Sequence, residues 1–398
     1  MKRLVVPAFK LAISYVQVIL LHISFFFTKP FIQKIKEESS SGWVIGTFEI
    51  AACMHHLKGT LGNAKTVNLF PNDSYNHSYD YSINVKSKYL GWLYRIFYGP
   101  LLLGFLANKH SHFWYIWHTG FLIDRDYEFK FLKSKNKKIV CMFVGNDIRS
   151  PKLSLEYTRK NNIDNLINYS MPENSEVFED TETRVMQTAI SADLYADLIF
   201  NFKLDQISYI KSKVFPWPYM WPKEKFLEPN VKFDDYKKIK IVHAPSHLMI
   251  KGTPLVQAAI KKLQEEGYDF DYVELRNMSN KTVLENLSSA HIVLNQFYGF
   301  DISLGMLAIE AMANRTALIM SLDPSAIKHY DIELEGLDSC LLNTRYWQVY
   351  DHLKHLLDNP DRMKYYADNG YDFVKKHYTY EAAGEYIQNL LEENGVIN

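Results

Sequence analysis

His243-Ala244-Pro245-Ser246-His247-Leu248-Met249-Ile250-Lys251-Gly252-Thr253 opens the stretch that decides the fold, and Gly305-Met306-Leu307-Ala308-Ile309-Glu310-Ala311-Met312-Ala313 closes it. Read through, residues 243 to 313 give strand, Lys-Gly loop, helix, strand, helix, strand and a helix opened by glycine. That order predicts a doubly wound α/β domain, which binds ligands at the carboxyl ends of its strands. Lys251 and the Gly305–Glu310 helix start fall at those ends. Gly252 lets the backbone turn, Thr253 is placed to cap the next helix, and Pro254 suits its first turn.

The 398 residues suffice for two domains, each with its own core. A hydrophobic share of 47% with 23% charged residues is a globular composition. Formal net charge is zero, so no bulk attraction to nucleic acid is expected. Cys53, Cys141 and Cys340 are odd in number and far apart, which yields no disulfide framework or metal motif and fits a reducing cytosol.

Strand-like runs at Trp43–Gly46, Thr66–Leu69, His112–Trp117, Ile139–Val144 and Asp197–Phe200 alternate with helical patterns and predict a parallel sheet in the first half. A helix is expected from Thr47 to Leu57 with Thr47 as its cap. The Pro-rich segment Trp217–Pro229 reads as a crossover, and Lys240–Ala244 begins a second sheet. The expected units are a membrane-associating segment at 1–36, a first Rossmann-like domain at 37–225, a second at 226–378, and a carboxyl-terminal helix at 379–398.

Residues Leu11 to Thr28 carry no charged side chain, at the lower limit for a membrane span. Lys10, Ser14, Gln17, Ser24 and Thr28 share one helical stripe beside a wide apolar face. That pattern suits a helix lying in a membrane interface, with a span or packing on the protein itself as alternatives. A second apolar run, Tyr89–Leu106, is a core helix or the wall of a lipid-acceptor groove, and Pro100 is expected to end or kink it.

Two further segments carry chemistry: His112-Phe-Trp-Tyr-Ile-Trp-His118-Thr-Gly120 and Val144-Gly145-Asn146-Asp147-Ile148-Arg149. His118 follows a strand and is either an acceptor-orienting group or a packed histidine. Asp147 and Arg149 either project into a cleft or pair internally at a strand-terminal turn. The spacing of His110, His112 and His118 is not that of a zinc site. Asp124-Arg-Asp126 and Asp269-Phe-Asp271 read as surface acids, so no metal is expected.

Together the 243–313 stretch and the Gly145–Arg149 segment resemble two-domain GT-B glycosyltransferases of the family 4 type, found in bacterial surface polysaccharide synthesis. The likeness covers roughly residues 43 to 390 and is most specific from 240 to 315. It implies two Rossmann-like domains facing across a cleft, with the last helix returning to the first domain. It assigns Lys251 to the donor diphosphate, with Gly252 beside it, Glu310 to the ribose hydroxyls, and Gly305 to close backbone approach. An arginine that usually lies five residues before the lysine is Ser246 here, followed by His247. The position of a further donor-binding glutamate is Ile302, with Asp301 adjacent. The acceptor side falls to His118, Gly145, Asn146, Asp147 and Arg149, with Lys251, His118 and Asp147 as the catalytic candidates.

The resemblance implies a retaining transferase that moves a sugar from a UDP- or GDP-sugar to a lipid-linked or glycan acceptor, peripheral on the inner face of the cytoplasmic membrane. No cofactor beyond the nucleotide-sugar substrate and no nucleic-acid partner are expected. The alternatives are an epimerase, a glycerol-phosphate or pyruvyl transferase of the same fold, or a sugar-nucleotide binding protein that has lost catalysis.

Overall fold

The computed structural model describes residues 2–35, 42–70, 77–85, 87–162, 171–228, 232–234, 236–298, 303–323 and 334–397. A long helix, α1 (Lys2–Ile35), precedes a six-stranded sheet built from β1 (Trp43–Thr47), β2 (Ala64–Asn68), β3 (Tyr81–Ser82), β4 (His112–Ile116), β5 (Lys138–Met142) and β6 (Leu198–Phe200). Helices α2 (Cys53–Leu61), α3 (Lys88–Lys109), α4 (Arg125–Ser134), α5 (Pro151–Asn161) and α6 (Glu176–Tyr195) lie between these strands. Every pairing is parallel and the order is β3-β2-β1-β4-β5-β6, the dinucleotide-fold order.

The second sheet holds β7 (Ile239–His243), β8 (Phe270–Glu274), β9 (Ile292–Leu294), β10 (Ala317–Met320) and β11 (Leu342–Asn343), interleaved with α7 (Thr253–Glu265), α8 (Asn280–Leu287) and α9 (Met306–Ala313). Its order is β11-β10-β9-β7-β8, again parallel, which is the flavodoxin-like arrangement. The central strands are buried along their length and β-branched or aliphatic, as a sheet covered on both faces requires.

Each sheet has one place where the strand order reverses. In the first it lies between β1 and β4; in the second it lies between β7 and β9. Crevices at such points are where open α/β sheets bind ligands. The site is therefore built from the loops after those four strands.

The chain returns to its beginning through α10 (Val349–Asp358), α11 (Pro360–His377) and α12 (Tyr380–Glu393). Trp221 N donates to Tyr378 O at 2.7 Å, so the outgoing crossover segment and the returning one run side by side. Helix α12 then docks on the first domain. Tyr380 OH meets His56 Nδ1 at 2.8 Å, and Tyr386 OH donates to Pro216 O at 2.9 Å. One core cluster runs through both halves, from Trp43 and Met54 through Trp221 to Met312 and Ile387.

One helix start needs correction, and one helix passes its proline. The helix after β1 starts at Cys53, not Thr47, because Ala51 and Ala52 take left-handed φ values of 51° and 58° and turn the chain first. Pro100 does not end α3. Proline leaves the carbonyl four residues earlier without its helical donor, and Gln17 Nε2 of α1 supplies one to Ile96 O at 3.2 Å.

Candidate active site

The second domain's crevice starts at β7. His243 is buried at its end, held by Leu294 O and by Thr253 Oγ1, each at 2.8 Å. Thr253 is thus spent on His243 and does not cap α7. Gly252 takes the cap position instead, at φ 74°, a conformation that favours glycine. The turn this creates delivers Lys251 inward. Its Nζ donates to Gln296 Oε1 at 2.6 Å, joining the loop after β7 to the loop after β9. Burial lowers the Lys251 ammonium to about 8, and Asp205 and Arg149 of the first domain act on it from across the cleft.

Arg149 is well placed for this. Its guanidinium is held by Asp205 Oδ1 at 2.7 Å, and it also bonds Asn146 Oδ1 and Asp205 O. Lys251 of the second domain thus feels the Arg149–Asp205 ion pair of the first, carboxylate and guanidinium both. The sequence put Ser246 and His247 beside Lys251; both are exposed, and His247 Nδ1 accepts Ile250 N at 3.3 Å within its own turn.

Gly305 has φ 78° and ψ 155°, backbone space essentially reserved for glycine, and a side chain there would meet nothing within 4 Å among the described residues. The residue is set by backbone geometry and borders open space. Its amide donates to Tyr219 OH at 2.7 Å, so the crossover segment clamps the start of α9. The first intrahelical bonds are made by Ala308 N and Ile309 N to Gly305 O, which leaves the Met306 and Leu307 amides ahead of the ladder at the positive end of the helix. Asp301 lies outside the described residues.

Glu310 is buried at 7% exposure and accepts Asn280 Nδ2 at 2.8 Å. Burial raises its carboxyl to about 7, opposed by Asn280 and by the charge of Lys225. Asn280 is the first residue of α8, whose start is capped by Ser279 Oγ accepting Thr282 N. This carboxylate and amide form a compact acceptor–donor pair near the crossover.

The first domain's crevice is lined by the loops after β1 and β4, which meet where Thr47 Oγ1 and Thr119 Oγ1 lie 3.0 Å apart. His118 is on the second loop. Its Nδ1 is buried with no hydrogen-bond partner among the described residues, and burial with Arg184 and Arg125 lowers the ring to about 3. It is a neutral imidazole at physiological pH, able to exchange hydrogen bonds but not to carry charge. On the first loop sits Glu49, which the sequence reading missed. It is fully buried and its carboxylate accepts Met54 N and His55 N, both at 3.1 Å, at the start of α2. Burial raises it to about 7.

Asp147 departs from the expectation that it projects into the cleft. Its buried carboxylate turns back to accept Gly145 N at 2.7 Å and Val144 N at 3.2 Å. Arg184 clamps the same loop through Asn146 O and Asp147 O. Asp147, Gly145 and Asn146 thus shape the turn that aims Arg149.

The three early histidines do not share a partner: His110 bonds Gly42 O, His112 bonds Val396 O, and His118 packs beside Trp117. Asp269 and Asp271 pair with Lys238, and Asp124 caps α4 through Tyr127 N. Among the described residues no three histidine, cysteine or acidic side chains gather to hold a metal ion.

No family model matches the chain, and no curated protein sequence matches it. Solved structures do. The Anabaena protein Alr3699/HepE, solved with UDP-glucose, superposes with a TM-score of 0.55 at 10% identity, over 88% of this chain and 100% of that one. A glycosyltransferase from Rickettsia africae ESF-5 gives 0.52 at 12% identity, over 89% and 99%. At such identities the likeness is one of fold, and it covers both domains: the chain has the GT-B architecture of two Rossmann-like domains facing across a cleft.

Proposed function

We propose that the chain is a glycosyltransferase that moves a sugar from a UDP- or GDP-sugar to a lipid-linked or glycan acceptor in surface polysaccharide assembly. The observation that carries this reading is a buried Lys251, bonded to Gln296 between two strand-end loops and facing the Arg149–Asp205 pair of the opposite domain, in the domain that also holds a glycine-opened helix start. A nucleotide diphosphate needs two cations and close backbone donors as its bond to the sugar breaks. Uncharged ligands need neither.

On this reading Lys251 neutralises the leaving diphosphate, with Arg149 completing the charge when the domains close on the donor. The Met306 and Leu307 amides approach the same oxygens, and Gly305 leaves the space they need. Glu310 accepts the two ribose hydroxyls, with Asn280 holding its carboxylate in place. The bound UDP-glucose of the Anabaena protein of the same fold favours uridine as the first donor to try.

The acceptor reaches the first domain's crevice. His118 offers a neutral imidazole to an acceptor hydroxyl. Its low affinity for protons assigns the acceptor's proton to a stronger base, and in a retaining transfer that base is the leaving diphosphate itself. Asp147 drops out as a catalytic residue and becomes a positioning residue for Arg149.

The test is incubation of purified protein with defined UDP- and GDP-sugars, with and without lipid-linked and free glycan acceptors, followed by mass spectrometry and anomeric NMR. A product one sugar heavier, with the donor's anomeric configuration kept, is the expected result. Isomerised donor without acceptor would identify an epimerase instead, and binding without turnover would identify a sugar-nucleotide binding protein.

A further inference from the structure

Helices α1 and α3 are packed inside out. Along α1 the polar side chains turn to the protein: Gln17 donates to Ile96 O, Ser24 Oγ to Leu101 O at 2.6 Å, and His22 Nε2 meets Tyr127 OH at 2.8 Å. Asn108 of α3 reaches back to Phe25 O at 2.7 Å and Thr28 Oγ1 at 2.9 Å. The opposite face of α1 is apolar and exposed: Tyr15 at 65%, Ile19 at 58%, Phe26 at 72% and Phe27 at 63%. On α3, Tyr89, Tyr94 and Phe97 are likewise exposed. A helix on a water-facing surface shows the reverse polarity.

The contact between the helices follows the same logic. A Cβ at Gly104 would lie 2.8 Å from Leu21 O, Phe25 N and Ser24 Cβ, so glycine lets the two backbones touch. Small residues at the contact and polar side chains bonded to carbonyls are how helices associate in lipid. Both helices have a stretch long and apolar enough to cross a membrane, Phe9–Ile32 and Tyr89–Lys109. Neither contains an Asp or Glu, while Lys10 and Lys29 of α1 and Lys109 of α3 supply positive charge and Arg95 stacks on Phe70.

We propose that α1 and α3 together form a plate that lies in the surface of an anionic lipid bilayer, apolar face down, with the first domain standing on it. The plate lies flat rather than crossing, because the middle of α1 is already taken: Leu21 is fully buried, and its neighbours bond to α3 and α4. A crossing helix would have to give up those partners. Basic residues with no carboxylate between them match anionic headgroups. The inference rests on polarity and packing, not on the proposed transferase reaction, and its test uses no turnover.

The experiment is flotation of the purified full chain with vesicles of phosphatidylcholine, with and without phosphatidylglycerol. Two variants accompany it: Ile19→Ser/Ile23→Ser/Phe26→Ser on α1 and Tyr94→Ser/Phe97→Ser on α3. Wild type is expected to float with anionic vesicles and several-fold less with neutral ones. The α1 variant should lose binding about tenfold or more and the α3 variant by a smaller factor, through lost apolar insertion. All these positions are exposed, so melting temperatures should stay unchanged; a variant that melts earlier is replaced by glutamate at Ile19 and Tyr94. Wild type remaining with the soluble fraction would overturn the proposal, as would equal flotation of all three proteins. A chain that sediments as a dimer without vesicles, and becomes monomeric in the α1 variant, would show that a second copy covers the face. Resistance to alkaline extraction would show a crossing helix and contradict the flat arrangement.

Discussion

The two crevices differ in what their polar groups are doing. In the second domain Lys251 donates to Gln296 and Glu310 accepts from Asn280, and burial holds both away from their ordinary proton affinities. In the first domain Asp147 and Glu49 are consumed by backbone amides of their own loops. One crevice keeps charge in reserve for a ligand, while the other spends it on loop shape. A buried ionisable group held by few partners costs stability unless something else repays it. A fixed charged donor is well suited to repay it, and a variable acceptor is not. The first domain instead offers a neutral imidazole and a positioned arginine.

The contrast breaks most sharply at Lys251. Replacing it with Met should slow sugar transfer about 100- to 1,000-fold, as loss of a transition-state charge contact does, measured by product formation at saturating donor. Next comes Glu310→Gln, which removes a charged acceptor and should weaken donor binding about 10- to 100-fold by calorimetry. Because burial raises that carboxyl to about 7, the neutral side chain should leave the fold at least as stable at pH 8.

The pH dependence sharpens the same comparison. Glu310 is ionised above about 7 and Lys251 is protonated below about 8. Donor affinity should therefore peak between these values, weaken as the pH falls through the first, and weaken again as it rises through the second. A flat profile from pH 6 to 9 would detach both groups from the donor.

On the acceptor side, Asp147→Ala should cost about 1–3 kcal/mol of stability, since two amides lose their acceptor. A thermal melt should register it while the donor KM stays unchanged beyond the effect of a looser Arg149. Smallest of all, Ser246→Ala should change donor affinity less than about twofold, because the side chain is exposed.

The parts legible in the sequence are those made by neighbours in the chain. Gly305 and Gly252 could be placed because a strand-to-helix turn needs a residue that tolerates positive φ, and both have it. The strands showed through because a sheet covered on both faces needs continuous apolar runs. What stayed hidden was made by partners far apart. Gln296, Tyr219 and Asn280 gain their roles only when the crossover and the β9 loop come together. Arg149 could be named from sequence, but its pairing with Asp205 and their joint influence on Lys251 could not. Thr253 looked like a cap, yet buried His243 is the stronger claim on its hydroxyl. Pro100 looked like a break, yet Gln17 satisfies the carbonyl it strands. The stripe from Lys10 to Thr28 was visible as a pattern. Only the structure shows that its polar members Gln17, Ser24 and Thr28 face inward.

The most direct measurement is thermal unfolding of the wild-type chain, Lys251→Met and Glu310→Gln against UDP, GDP and their sugars at pH 7.5. A ligand that binds only the folded state raises the midpoint by mass action. One nucleotide should raise the wild-type midpoint by several degrees at about 100 times its dissociation constant. Both variants should lose most of that gain. An unchanged wild-type midpoint with every nucleotide, or an equal rise in all three proteins, would contradict a donor site built on Lys251 and Glu310.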